Sequence, residues 1–397
     1  MKSITQAQLT GKKVLVRVDY NVPQNEQLQV TSTTRIKRTL ETVNKITNEG
    51  GIALLMSHLG RPKGKVNDTF SLKHILGAVC ETLEKPVVFL GDVLDADIED
   101  KINQLHSGDV ALFENLRFHK EEEEGDLAFA KAIAQLGDIY VNDAFGAAHR
   151  EHASTATIAQ FFPGNAYAGY LLYSEVQSLK KVLEEKKSPF TAIIGGAKIS
   201  TKLNILRNLM EKVDNLIIGG GMSYTFISAL GFTHGNSLFE EDMVPVAKEI
   251  LEQAKRKGIN FYLPIDYVCA DKFAADANVW LTKDRNIPDG WEGMDAGENT
   301  RNLFKEVILS SKTILWNGPV GVFEFDTFDA GTKAVAQAVV EATQNGAYSL
   351  IGGGDTIAAL GKFKLSKDVS YISTGGGAML EYLEGIELPG IKALEEN

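Results

Sequence analysis

The chain has 397 residues, enough for two domains that each bury a full core. Its apolar content of 44% and charged content of 23% are ordinary for a globular protein, and the net charge of −11 excludes general affinity for nucleic acid or an anionic membrane. Only Cys80 and Cys269 occur, which excludes a disulfide framework and predicts a reducing cytoplasmic setting. No apolar run is long enough to span a bilayer, and Met1 to Gln6 carry no hydrophobic signal region.

Lys13-Val14-Leu15-Val16-Arg17-Val18 reads as a strand that runs into Asp19-Tyr20-Asn21-Val22-Pro23. Short apolar runs recur at 52–56, 87–90, 110–113 and 139–141, with helical spacing between them, as at Ile36, Leu40, Val43 and Ile46. Buried strands alternating with helices predict a parallel α/β sheet, whose ligands sit beyond the carboxyl ends of the strands. The polar residues after those ends collect into one candidate site: Asp19 and Asn21, Ser57 to Pro62, Glu114 to Arg117, and Asn142 to Arg150, with Arg35 from a loop that opens a helix. Six of the ten arginines and six of the seven histidines fall at or before position 152. Arg61, Arg117 and Arg150 all lie just past strand ends, so they are expected to converge on a carboxylate or phosphate, which the guanidinium fork fits. His58 and His152 read more readily as structural hydrogen-bonders than as catalysts, and no histidine shows zinc spacing with cysteine. Cys80 lies on an apolar helix pattern and reads as core. Glu121 to Glu124 reads as a solvated helix start.

Leu172, Val176, Leu179 and Leu183 place one amphipathic helix over 170–187, about 27 Å long at roughly 1.5 Å per residue. Ser188-Pro189 stops it, and no flexible Gly-Ser linker occurs. The second half repeats the alternation, with strand runs at 190–194, 216–218, 261–263, 313–316, 349–351 and 369–373. Gly195-Gly196, Gly219-Gly220-Gly221, Gly352-Gly353-Gly354 and Gly375-Gly376-Gly377 each follow or close an apolar run. A strand–turn–helix such as Tyr348 to Thr356 offers backbone N–H groups at the positive end of a helix, and its glycines let a phosphate approach. Asp355 in that turn suits Mg²⁺. Lys198 and Lys202, four apart, are expected on one face of a helix opening beyond the first strand, as mobile charges for a phosphoryl group. Neither G-x-x-x-x-G-K-[ST] nor G-x-G-x-x-G is present, which counts against P-loop ATPases and dinucleotide dehydrogenases.

These motifs closely resemble the phosphoglycerate kinase family: Arg17 to Pro23, Ser57 to Pro62, Asn142 to Arg150, Trp316-Asn317-Gly318-Pro319-Val320-Gly321-Val322-Phe323-Glu324, and Gly352 to Thr356. The resemblance runs from Val14 to about Gly385. It implies a monomeric, hinge-bending glycolytic kinase that moves the acyl phosphate of 1,3-bisphosphoglycerate to Mg-ADP. The expected organisation is two doubly wound parallel-sheet, Rossmann-like α/β domains, 1–169 and 188–373, joined by the 170–187 helix. The tail, 374–397, would return to the first domain. By similarity, Asp19, Asn21, Arg35, His58, Leu59, Gly60, Arg61, Arg117 and Arg150 would hold phosphoglycerate. Gly195, Lys202, Gly293, Glu324, Gly353, Gly354, Asp355 and Thr356 would hold the nucleotide, with Glu324 on the ribose and Asp355 on Mg²⁺. Arg35, Lys198 and Lys202 would stabilise the transferring phosphoryl group, assisted by the amides of Gly375 and Gly376. Such chemistry needs positioning and neutralised charge, and its carboxylate acceptor needs no general base. Two other readings stay open on the residues alone: another ATP-dependent kinase acting on a carboxylate, and a two-domain protein that closes on an anion without chemistry.

Overall fold

The computed structural model describes residues 1–397. By its internal contacts the chain divides into one unit of Met1–Val176 with Glu387–Asn397, and a second of Gln177–Ile386. The first unit holds strands β1 (Lys13–Arg17), β2 (Ile52–Met56), β3 (Val87–Gly91), β4 (Val110–Phe113), β5 (Ile139–Asn142) and β6 (Ala166–Ala168). They form one sheet in the order β3-β4-β2-β1-β5-β6. Every pairing is parallel, with Lys13 beside Ile52 and Val14 beside Ile139. Helices cover both faces, so central strands are apolar throughout: β2 is buried at every residue. The helical spacing from Ile36 to Ile46 is shared by two helices, Thr34–Lys37 and Leu40–Asn48, with Arg35 in the first.

The second unit holds β7 (Phe190–Ile194), β8 (Asn215–Ile218), β9 (Asn260–Tyr262), β10 (Tyr267–Ala270), β11 (Val279–Leu281), β12 (Glu292–Ala296), β13 (Thr313–Asn317), β14 (Tyr348–Gly352) and β15 (Tyr371–Ile372). Six of them form a second parallel sheet in the order β15-β14-β13-β7-β8-β9. The remaining three make a small antiparallel sheet, β11-β10-β12, that the strand-and-helix alternation did not announce.

The helix expected over 170–187 spans Tyr170–Leu183, about 21 Å at roughly 1.5 Å per residue. Its apolar stripe ends at Leu183, and four charged residues follow. The contact boundary between the units falls inside it, at Val176/Gln177. At the other end of the chain, residues 374–386 stay with the second unit, and the return begins at Glu387 rather than at 374. There the helix Pro389–Glu395 docks on the first unit: Gly390 N–H donates to Ala148 O at 2.9 Å, and Asn397 Nδ2 to Ala159 O at 2.6 Å. No helix is long and apolar enough to cross a membrane.

Candidate functional sites at the strand ends

In the first unit, β4, β2, β1 and β5 are neighbours, and the candidate residues follow their carboxyl ends. The loop after β2 is tied to the loop after β1: Tyr20 N–H donates to Ser57 Oγ at 2.8 Å, and Gly60 N–H to Asn21 Oδ1 at 2.9 Å. Gly60 takes the left-handed region at φ +61°, and its carbonyl accepts from Arg117 Nη1 at 3.0 Å. Leu59 O accepts from Asn115 Nδ2 at 2.7 Å, which ties in the loop after β4. Arg35 pairs with Asp19, and His58 lies 4.0 Å from the same carboxylate.

Burial, then the charges of Arg17, Arg117 and Arg35, push His58 well below the ordinary histidine range. Burial, then Arg117, Arg17 and Arg150, push His152 down to about 3. Arg17 and Arg117 act on both imidazoles, Arg35 on His58 and Arg150 on His152. Arg61 is exposed in the loop after β2. Two residues of the site were not foreseen. Arg17, the last residue of β1, is completely buried beneath the cluster. Glu122, read as part of a solvated charge run, is also completely buried: its carboxylate accepts from Ser154 N–H at 3.0 Å and Ser154 Oγ at 2.6 Å. Only its neighbours on the short helix Lys120–Glu123 face water. Glu123 lies 3.3 Å from Arg117 Nε, and arginines still outnumber carboxylates here, a balance that suits a small polyanion.

In the second unit, β15, β14, β13, β7 and β8 are neighbours, and a glycine turn or Asn317-Gly318 follows each end. These glycines serve two different purposes. Gly195, Gly220 and Gly318 let three backbones meet: a Cβ on Gly195 would lie 2.0 Å from Pro319 O, and Gly318 takes φ +102°. The amides of Gly195, Gly219 and Gly220 are spent on the carbonyls of Asn317, Ile194 and Val320, so they are not free for a phosphate. The turn after β14 is different. Gly353 takes φ +93° and caps the helix Gly354–Lys362, whose first helical bond runs from Ile357 N–H to Gly353 O. The N–H groups of Gly354, Asp355 and Thr356 precede that bond and face outward from a helix start. Thr356 Oγ1 braces the turn by accepting Gly318 N–H at 2.7 Å. Gly376, at φ +53°, opens the helix Gly377–Leu383.

Lys198 and Lys202 do not share a helix face. The helix starts at Leu203, Lys202 is its cap, and Lys198 lies in the preceding loop. Glu240 holds that loop away from helical geometry by accepting Ile199 N–H at 2.7 Å and Ser200 N–H at 3.3 Å. Lys202 Nζ donates to Asn317 Oδ1, and burial lowers its pKa while Asp355 and Glu384 oppose the shift. Asn317 Nδ2 is buried with no partner and lies 2.9 Å from where a Cβ on Gly353 would be. An orphaned donor beside a phosphate-type turn fits an anionic ligand; its signal in the sequence was its place at the end of β13. Gly293 sits on β12 against the Tyr224 ring, and Glu324 is exposed on the loop after β13. No group of three or more acidic, histidine or cysteine side chains forms a metal cage. The lone carboxylate of Asp355, exposed in the first helical turn, suits an Mg²⁺ that arrives already held by phosphates.

A model of the family described as phosphoglycerate kinase matches residues 4–386. The phosphoglycerate kinase of Porphyromonas gingivalis is 48% identical over 417 aligned residues, covering 99% of this chain and all of the relative. That of Chlorobium limicola is 48% identical over 395, covering 100% and 99%. Among solved structures, phosphoglycerate kinase from Coxiella burnetii superposes with a TM-score of 0.92 at 40% identity, covering 99% of this chain and 98% of that one. The enzyme from Pyrococcus horikoshii gives 0.83 at 29%, covering 100% and 98%.

Proposed function

The chain belongs to the phosphoglycerate kinase family, and from that premise we propose a division of labour between its two units. Its reaction is transfer of the acyl phosphate of 1,3-bisphosphoglycerate to ADP, giving 3-phosphoglycerate and ATP in glycolysis. The first unit holds phosphoglycerate through Asp19, Asn21, Arg35, His58, Leu59, Gly60, Arg61, Arg117 and Arg150. The second holds the nucleotide through Lys202, Gly293, Glu324, Gly353, Gly354, Asp355 and Thr356, with Asn317 added to them, and with Gly195 acting by close approach rather than through its amide, which is spent on Asn317 O. Asp355 takes the Mg²⁺ that travels with the nucleotide, and that ion supplies neutralising charge on the phosphates. Arg35, Lys198, Lys202 and the turn at Gly375 and Gly376 stabilise the phosphoryl group in transfer. The protein works in the cytoplasm with no nucleic-acid or membrane partner, a reading supported by its two free cysteines and net charge of −11, and as a monomer, as the family resemblance implies. Catalysis involves hinge motion about the ends of the 170–183 helix, near Gly169 and Ser188-Pro189.

The observation that carries the division is the sorting of the strand ends. Arginines gather after β1, β2, β4 and β5, whereas glycine turns follow β7, β8, β14 and β15. A coupled assay on two variants tests it, with ATP formation from 1,3-bisphosphoglycerate compared with acetyl phosphate as a control donor. Arg117→Ala should raise KM for phosphoglycerate and spare that for ADP; Lys202→Ala should not show the same selectivity. Equal damage to both KM values by Arg117→Ala would overturn the assignment, and turnover of acetyl phosphate at a matching rate would overturn the substrate specificity.

A further inference from the structure

Beneath the arginine cluster runs a chain of four buried polar groups, and each link constrains the next. Glu122, Ser154 and Arg17 are completely buried, and His58 is 5% exposed. Ser154 Oγ receives Arg17 Nε–H at 2.8 Å, so its own proton is free for Glu122 Oε1, 2.6 Å away. Arg17 is fixed in direction by that bond and by a second to Val18 O. Its remaining Nη2 lies 3.1 Å from His58 Nδ1, and the Asp19 carboxylate lies 4.0 Å from the same nitrogen, beyond hydrogen-bond reach. A guanidinium has donors only, so Nδ1 must present its lone pair. The single ring proton of neutral His58 is then on Nε2.

We infer that His58 meets phosphoglycerate as a neutral Nε2–H donor, and that Glu122, Ser154 and Arg17 are positioning residues that fix this tautomer. The inference rests on the reading that His58 lines the phosphoglycerate pocket. Its charge logic is that of the site. Arg35, Arg117 and Arg150 already supply cations, and an imidazolium on Nδ1 would point a proton at a guanidinium. A neutral N–H adds a directed hydrogen bond to a substrate oxygen without adding like charge. Buried Glu122 offsets buried Arg17 through the Ser154 hydroxyl, so Arg17 can serve as a fixed donor rather than as part of the anion's counter-charge. Without the relay, either imidazole nitrogen could carry the proton.

Long-range nitrogen–proton correlation spectra of the full chain, with ¹⁵N-labelled histidine and His58 assigned from the spectrum of His58→Asn, read the tautomer directly. From about pH 5 to 8, His58 should show an unprotonated Nδ1 and a protonated Nε2. A protonated Nδ1 in wild type, as the other tautomer or as imidazolium, would overturn the inference without recourse to any variant. In Ser154→Ala the His58 signals should move toward a tautomer mixture, and KM for 3-phosphoglycerate should rise on the order of tenfold with kcat held. Glu122→Gln, which keeps shape and loses charge, should move both in the same direction to a smaller extent. Wild-type signals and KM in a folded Ser154→Ala would overturn the relay. Saturating 3-phosphoglycerate should shift Nε2. If Nε2 does not move while the tautomer is as inferred, the relay stands and the placement of His58 in the pocket falls.

Discussion

Arg35 keeps 44% of its side chain exposed although it is paired with Asp19, which leaves it free to exchange that partner for a more highly charged one. If it stabilises the phosphoryl group in transfer, Arg35→Ala should lower kcat by about 10²–10³, the usual cost of one transition-state donor, while nucleotide affinity holds. Steady-state kinetics at saturating substrates check this, and near-normal turnover would remove Arg35 from the chemistry. Asp355 makes a complementary case. Asp355→Asn should weaken Mg-ADP and Mg-ATP and leave 3-phosphoglycerate affinity nearly intact. The substitution also removes a negative neighbour that holds Lys202 up against burial. Calorimetric titration of both ligands decides it, and equal weakening would mean that the metal is elsewhere. At this scale the sequence was legible wherever a polar residue followed an apolar run, because strand ends share one edge of the sheet. It was misleading where a residue's neighbours hid its role. Arg17 closes an apolar strand and Glu122 stands among three other glutamates, yet both are fully buried.

Among the elements, the long buried strands were plain in the sequence, and β2, β4 and β7 have the limits their apolar runs imply. The antiparallel trio β10–β12 was not, for a physical reason: its edge strand Val279–Leu281 is exposed at every residue, so burial imposes no alternation on it. The split of Lys198 from Lys202 was also invisible, since it depends on Glu240, forty residues away. The connecting helix carries a testable feature at its start. Asp143, after β5, accepts Leu172 N–H at 3.1 Å, and Gly169 packs so closely that a Cβ there would lie 2.3 Å from Asp143 Cγ. Burial pushes the Asp143 carboxyl up to about 7, against bonds from Thr42, Leu172 and Leu171 that lower it, with Glu41 adding to the rise. A raised folded pKa means that the folded state binds the proton more tightly. The associated stability is fully present below about pH 4 and is lost as pH rises through about 7, with a slope of at most about 1.4 kcal/mol per pH unit. Asp143→Asn has no proton to lose, so its stability relative to wild type should improve between about pH 5 and 8. Urea unfolding of both proteins across that range checks it; parallel profiles would show that Asp143 ionises in the fold at its ordinary pKa.

At the scale of the whole molecule, the chain passes between its two units twice, within the helix at Val176/Gln177 and again at Ile386/Glu387. Phosphoglycerate is assigned to one unit and the nucleotide to the other, and reacting atoms must come to about 3–3.5 Å before transfer can occur. Water must also be kept from the acyl phosphate, or its energy is lost to hydrolysis. A permanently closed site would satisfy both demands but would bar the substrates. We therefore expect an open free enzyme that closes around both ligands, with Arg35 and Lys198 meeting on the phosphoryl group only when closed. Tyr170–Val176 belongs to one unit and the rest of that helix to the other, so we expect the helix to move as a shared rod. Dihedral change then falls at its ends, near Gly169 and Ser188-Pro189. A ligand that touches one unit has little differential affinity for the closed form, so each ligand alone should shift the population only in part. Small-angle scattering on free, singly liganded and doubly liganded protein should give a radius of gyration that falls slightly with either ligand and furthest with both. One value across all four states, in active and saturated protein, would rule closure out.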